Sequence, residues 1–114
     1  METVFDKILN KKIPAKLVYE DEHVLAFHDI APQAMIHVLV IPKKRAQSLA
    51  DLKNWSKEDA GHFLARVGEV ASLLNLDEEG YRVVMNTGSH GGQTVPYFHA
   101  HILGGELLHT NFGA

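Results

Sequence analysis

The chain contains no cysteine. A disulfide, a thiolate metal site and a cysteine nucleophile are therefore excluded. The pattern fits a reducing compartment, and a cytoplasmic location is expected. Basic residues are not in excess: 11 Lys plus Arg stand against 14 Asp plus Glu, a net charge of −3. That leaves no electrostatic case for binding a nucleic-acid backbone. There is also no polybasic cluster of the kind that holds a protein to an anionic membrane. No stretch approaches the roughly 18 consecutive apolar residues that a membrane helix needs. Residues 1–12 show neither the apolar run nor the cleavage pattern of a targeting segment. Internal repeats and low-complexity linkers are missing as well. What remains is a 114-residue chain, 46% hydrophobic and 22% charged, which predicts one globular domain over residues 1–114. The excess is histidine, with eight in this short acidic chain.

The apolar pattern predicts the elements. Thr3 with Asp6 three residues on reads as a capped helix start, with Phe5, Ile8 and Leu9 on one face. Pro14 should end that helix at Ile13, because a residue before proline resists helical geometry. Leu17–Tyr19 and Val24–Phe27 flank the acidic turn Glu20-Asp-Glu22 and read as paired strands. Met35–Ile41 is almost wholly apolar, as expected of a central strand covered on both faces. Ser56 with Asp59 marks a second capping box. Behind it Ala60, Phe63, Leu64, Val67, Val70, Ala71 and Leu74 repeat as one stripe of a long helix, ending near Asn75. Tyr81–Thr87 and Val95–Leu103 are predicted strands joined by a Gly-rich connection. The fold class is α+β, a mainly antiparallel sheet with helices packed on it.

The last predicted strand bears the chemistry. Side chains alternate along a strand, so Phe98, Ala100 and Ile102 should meet the long helix while Tyr97, His99 and His101 face the other way. The two imidazoles then lie about 6.6 Å apart along the strand, with room for a phosphate-sized group. With a pKa near ~6.5, one imidazole can be neutral while its neighbour is protonated. A neutral ring can attack phosphorus, and a protonated one can stabilise charge or deliver a proton. Three readings of His-x-His stay open on spacing alone: a hydrogen-bonded structural pair, a phosphate-handling pair, and a zinc site with His37 as third ligand.

The preceding loop, Asn86-Thr-Gly-Ser-His-Gly-Gly-Gln-Thr94, has glycines that can expose backbone N–H groups to an anion. A plain hairpin turn has the same composition. Asp29 sits at a turn, where it either caps the backbone or accepts bonds from a ribose diol. His37, inside an apolar run, needs a polar partner, which a histidine cluster could supply. His23, His62 and His109 are expected to face solvent, and His28 to be half-buried on its strand. Trp55 and Met35 read as packing residues.

Taken in order, these segments resemble the histidine triad family, and within it the Hint branch. The likeness runs through Phe5-Asp-Lys-Ile8, Ile13-Pro-Ala-Lys16, Ala26-Phe-His-Asp-Ile30 and Pro32-Gln-Ala34. It continues through His37-Val-Leu-Val-Ile-Pro-Lys43, Tyr81-Arg-Val-Val84, Asn86, Gly91-Gly-Gln-Thr-Val95 and His99-Ala-His101-Ile-Leu-Gly-Gly105. It implies a five-stranded antiparallel sheet with one long and one short helix, continued across a homodimer. It also implies a nucleotide-binding hydrolase that cleaves the P–N bond of purine nucleoside 5′-phosphoramidates, such as those of AMP, and uses no metal or cofactor. By the same likeness His99 is the nucleophile that becomes nucleotidylated, His101 contacts the phosphate, and His37 supports the nucleophile. Asp29 and Ile30 fall at the ribose and base. Asn86, Gly92, Gln93 and Thr94 fall around the phosphate.

Two departures stand out. Tyr97 occupies the position of the first triad histidine, and a phenol is not a cation at neutral pH. It is expected at the nucleotide site, beside Pro96, which removes a strand donor. The tail His109-Thr-Asn-Phe-Gly-Ala114 differs from the family's usual ending, with Phe112 as a replacement aromatic contact. Alternative readings are a nucleotide-binding module with little catalysis, a zinc-dependent hydrolase built on His37, His99 and His101, and a dinucleoside-polyphosphate hydrolase of the family's other branch.

Overall fold

Thr3 starts the first helix by satisfying donors that the helix leaves free. Its hydroxyl accepts the Asp6 N–H, and the Asp6 carboxylate accepts the Thr3 N–H in return. This capping box opens α1, Val4–Leu9. The helix stops earlier than Pro14 predicts, at the Asn10 cap, where Lys11 turns left-handed at φ 59°. Ser56 opens α2, Lys57–Leu73, by accepting the Asp59 N–H at 3.0 Å. The Asp59 carboxylate pairs with Lys44 at 2.7 Å. Phe63, Val67, Val70 and Ala71 of the predicted stripe are buried. Leu64 is not: it is 61% exposed, because at 3.6 residues per turn it lies on the flank of the stripe.

The computed structural model describes residues 1–110; the expectation for Phe112 lies outside them. Its strands are β1 (Leu17–Glu20), β2 (Val24–His28), β3 (Ile36–Pro42), β4 (Tyr81–Val84) and β5 (Ala100–Gly104). They form one sheet in the order β1-β2-β3-β5-β4, with every neighbouring pair antiparallel. The predicted five-stranded antiparallel sheet with one long and one short helix is the observed architecture.

β3 is the central strand, buried from His37 to Pro42. Its alternation splits the core in two. Val38 and Val40 join Ala100, Ile102 and Phe98 under Phe63, Val67 and Val70 of α2. Leu39 and Ile41 join Leu25, Phe27 and Tyr97 under Phe5 of α1. Burying side chains of this size stabilises the fold by roughly 1.5–3 kcal/mol each. Asp21 ties the β1–β2 turn to α2: its carboxylate accepts the His23 and Val24 N–H groups and pairs with Arg66 at 3.0 Å.

Several details differ from expectation, and β4 ends at Val84 rather than Thr87. Met35 precedes β3 and is 77% exposed rather than packed. A 3-10 helix, Leu49–Asn54, fills the stretch after β3 and carries its own capping box from Ser48 and Asp51. β5 begins at Ala100 rather than Val95. Pro96 has no N–H to donate, and the next two residues bond outside the ladder, Tyr97 N–H to the Val95 carbonyl and Phe98 N–H to that of Ala46. The alternation persists through this stretch, so Phe98 and Tyr97 still face opposite cores. Among the described residues no helix is long and apolar enough to cross a membrane.

Candidate active site

β3 and β5 bring three histidines together through their register. His101 pairs with Leu39, and His37 pairs with Leu103. His37 and His101 are therefore diagonal neighbours on one face, within reach of each other's side chains. His99 follows on the same face, its ring 4.9 Å from that of His101. Phe5 of α1 packs edge-on against His99 at 4.9 Å. The face that β5 turns from α2 thus becomes the floor of a cleft of about 960 Å³. Asp29, Ile30, His37, Thr94, His99 and His101 line it together with Phe5, Ile8 and Ile13.

The proton positions follow from the partners. The Gln33 N–H donates to His37 Nδ1 at 3.1 Å. A backbone amide can only donate, so Nδ1 is the acceptor and Nε2 carries the proton. That Nε2 lies 2.9 Å from His101 Nδ1 and 3.4 Å from the Asp29 carboxylate. His101 Nδ1 accepts, which leaves its Nε2–H as a donor. His99 Nδ1 lies 2.7 Å from the Tyr97 carbonyl, which can only accept. His99 therefore donates through Nδ1, and its Nε2 keeps a lone pair.

Burial reinforces these neutral states, since it disfavours the charged form. His37 is 3% exposed and His99 6%. Burial pushes the pKa of His37 below its ordinary value, against the pull of Asp29. It does the same to His99, against the Tyr97 carbonyl and Asp29. His101 is pushed down to about 4 by burial and by its two histidine neighbours. Where spacing alone allows one ring of the pair to be protonated, burial and these tautomers favour the neutral form of all three.

Four predicted nucleotide residues lie outside the cleft lining. Asn86 donates to the Gly91 carbonyl at 2.7 Å. Gln93 accepts the Gly88 N–H and donates to the carbonyls of Gln47 and Val95. The Gly92 N–H is bonded to the Ser89 carbonyl, and the Gln93 N–H to that of Gly88. The loop is a closed turn, and the expected open row of amides is not preformed. Tyr97 points away, its hydroxyl donating to the Pro42 carbonyl. Asp29 combines both sequence readings: it caps the Ala31 N–H at 2.8 Å and faces the cleft.

A metal does not fit the trio in this state. Asp29, His37 and His101 offer ligand atoms within 4.8 Å of one another. His37 Nδ1 is already an acceptor, so ligation through Nε2 would require an imidazolate or the loss of the Gln33 bond. Sequence reasoning missed Gln33, whose backbone does the work, and the contact of Phe5 with His99. Only the apolar face of α1 hinted at the second. His28, expected half-buried, is exposed at the end of β2 and lines the same cleft, while His23 and His62, expected in solvent, stack on each other at 4.5 Å and are half-buried.

The HIT domain family matches residues 10–107. An uncharacterized HIT-like protein of Synechococcus elongatus is 48% identical over 107 residues, covering 94% of this chain and 93% of that protein. The purine nucleoside phosphoramidase of Escherichia coli is 40% identical over 107 residues, covering 94% and 90%. A solved histidine triad protein from Clostridium difficile superposes with a TM-score of 0.89 at 41% identity, covering 97% of this chain and 96% of that one. A HIT family hydrolase from Legionella pneumophila also gives 0.89 at 41% identity, covering 96% and 97%. With the family model matching residues 10–107 and relatives at 40% identity or more over nearly the full length, the chain belongs to the HIT domain family.

Proposed function

We propose that the chain is a nucleotide hydrolase that cleaves the P–N bond of purine nucleoside 5′-phosphoramidates. One observation carries the chemistry: His99 gives its only ring proton to the Tyr97 carbonyl and so presents an unprotonated Nε2 within the cleft. Such a nitrogen is a nucleophile at neutral pH. It attacks the α-phosphorus, the P–N bond breaks, and its electron pair leaves with the amine. The positive charge on the nucleotidylated ring is held by the Nδ1–H bond to the Tyr97 carbonyl. His101 Nε2–H and Thr94 are the donors for the phosphate oxygens, where charge develops. One water completes the balance. In the first step the departing amine takes a proton from solvent; in the second, the water gives its hydroxyl to phosphorus and returns a proton to solvent, which releases the nucleoside monophosphate and restores His99.

Asp29 supports a ribose contact through its position in the lining, and the apolar wall of Phe5, Ile8, Ile13 and Ile30 suits a base. The purine preference rests on the likeness to the Escherichia coli phosphoramidase. A homodimer joined through the sheet is proposed with it: β4 is an outer strand that carries half-exposed Tyr81 and Val83.

The test is amine release from an adenosine 5′-phosphoramidate of lysine, for the wild type and His99→Ala, with and without chelator. Turnover should survive chelation and vanish in His99→Ala, while AMP still binds the variant. A wild type that binds AMP and releases no amine would return the chain to a binding module. Turnover lost on chelation would establish a metal that the His37 tautomer argues against.

A further inference from the structure

The nucleophile's proton acceptor is a carbonyl that the sheet does not hold. β5 starts at Ala100, so the backbone of residues 95–98 finds partners singly. Tyr97 N–H and Phe98 N–H bond the carbonyls of Val95 and Ala46, which leaves the Tyr97 carbonyl to the His99 ring. The direction of that carbonyl depends on what anchors residue 97, and its side chain is anchored on all sides. The ring is 1% exposed. It meets Phe5 edge-on at 6.2 Å, and the Arg45 guanidinium lies over it at 5.2 Å. The hydroxyl donates to Pro42 at the end of β3, and Pro42 is itself paired with Val24 of β2. Arg45 is fixed in turn by the Asp6 carboxylate at 3.1 Å, within the capping box of α1.

We propose that Tyr97 is a positioning residue for His99: its hydroxyl, pinned to Pro42 beneath Arg45, aims the Tyr97 carbonyl that holds the nucleophile in its productive tautomer. The inference rests on the proposed role of His99 and extends it. The phenol lies outside the cleft lining, so its role does not require contact with substrate. Burial and the Asp6 charge push its pKa up to about 12, so it carries no proton traffic at neutral pH. A tyrosine here leaves the chemistry in place because its task is mechanical.

Tyr97→Phe removes the hydroxyl and keeps the ring. Small errors in the placement of a reacting group are costly, so kcat should fall about tenfold with KM within about twofold, the signature of an interaction felt in the transition state alone. In ¹⁵N-labelled protein without substrate, the His99 Nδ1–H signal should weaken or exchange faster. Wild-type kcat with an unchanged His99 signal would overturn the proposal. A wild type without turnover would sink the phosphoramidase reading, and the His99 signal in the variant would still decide this one. Should Tyr97→Phe fail to fold, Arg45→Leu strips the cover from the ring at an exposed position. It should move the same signal in the same direction, and an unmoved signal there would overturn the proposal too.

Discussion

His37 Nε2 sits 2.9 Å from His101 Nδ1, and a backbone amide four residues before His37 decides which ring owns the proton. With the Gln33 N–H on its far nitrogen, His37 donates, and His101 must present its own Nε2–H to the cleft. A wrong tautomer in such a relay leaves geometry intact and removes function.

His37→Ala frees His101 Nδ1 to take the proton and turns its Nε2 into an acceptor facing an anionic phosphate. We expect kcat to fall on the order of 100-fold, the scale of losing a positioned proton-bearing group. AMP affinity should fall much less. Steady-state kinetics and AMP titration check this together. Equal losses in both would mean that His37 is needed only to shape the cleft.

The depressed histidines also set a pH window. A folded-state pKa below the unfolded value means that acidification protonates the unfolded chain first. For His101 the interval runs from the unfolded value of about 6.5 down to about 4. His37 and His99 shift in the same direction. The stability they contribute is fully present above pH ~6.5, declines below it, and is gone once the folded-state values have been passed. Thermal melts from pH 8 to pH 4 should show this decline, and His101→Asn should shallow the slope. NMR titration should place the His101 ring transition well below the ordinary value of about 6.5. A transition at that ordinary value would mean that the cluster is not dry.

Much of this was legible from residue order, because local rules and the fold agreed. The Thr3 cap, the α2 stripe and the covered run of β3 each followed from period and capping chemistry. The pairing of His37 with His101 did not. It depends on strand register, which a single strand's pattern does not encode. The tautomers were equally out of reach, since they come from the backbone groups of Gln33 and Tyr97, and those look alike for any residue type. The loop 86–93 misled for a related reason. Glycines permit both an open row of amides and a closed turn, and here Gln93 closes it by bonding Gly88, Gln47 and Val95.

That closure makes Gly91 the residue to test. A Cβ built there would lie 2.3 Å from the Thr87 carbonyl oxygen and 3.0 Å from its nitrogen. Both are backbone atoms of a loop cross-tied by Asn86 and Gln93, so neither yields without opening the turn. Gly91→Ala should destabilise by about 1–3 kcal/mol, as overpacking does. It should also raise KM, because the same ties position Val95 and thereby Thr94 at the cleft. Gly61 is the opposite case. It lies inside α2 with nothing within 4 Å of its added Cβ, so Gly61→Ala should stabilise by about 0.5–1 kcal/mol through helix propensity alone. Chemical denaturation of the two variants beside wild type gives both signs in one experiment. A neutral Gly91→Ala would show that the turn opens freely, and the row of amides predicted from its glycines would then be available to a phosphate after all.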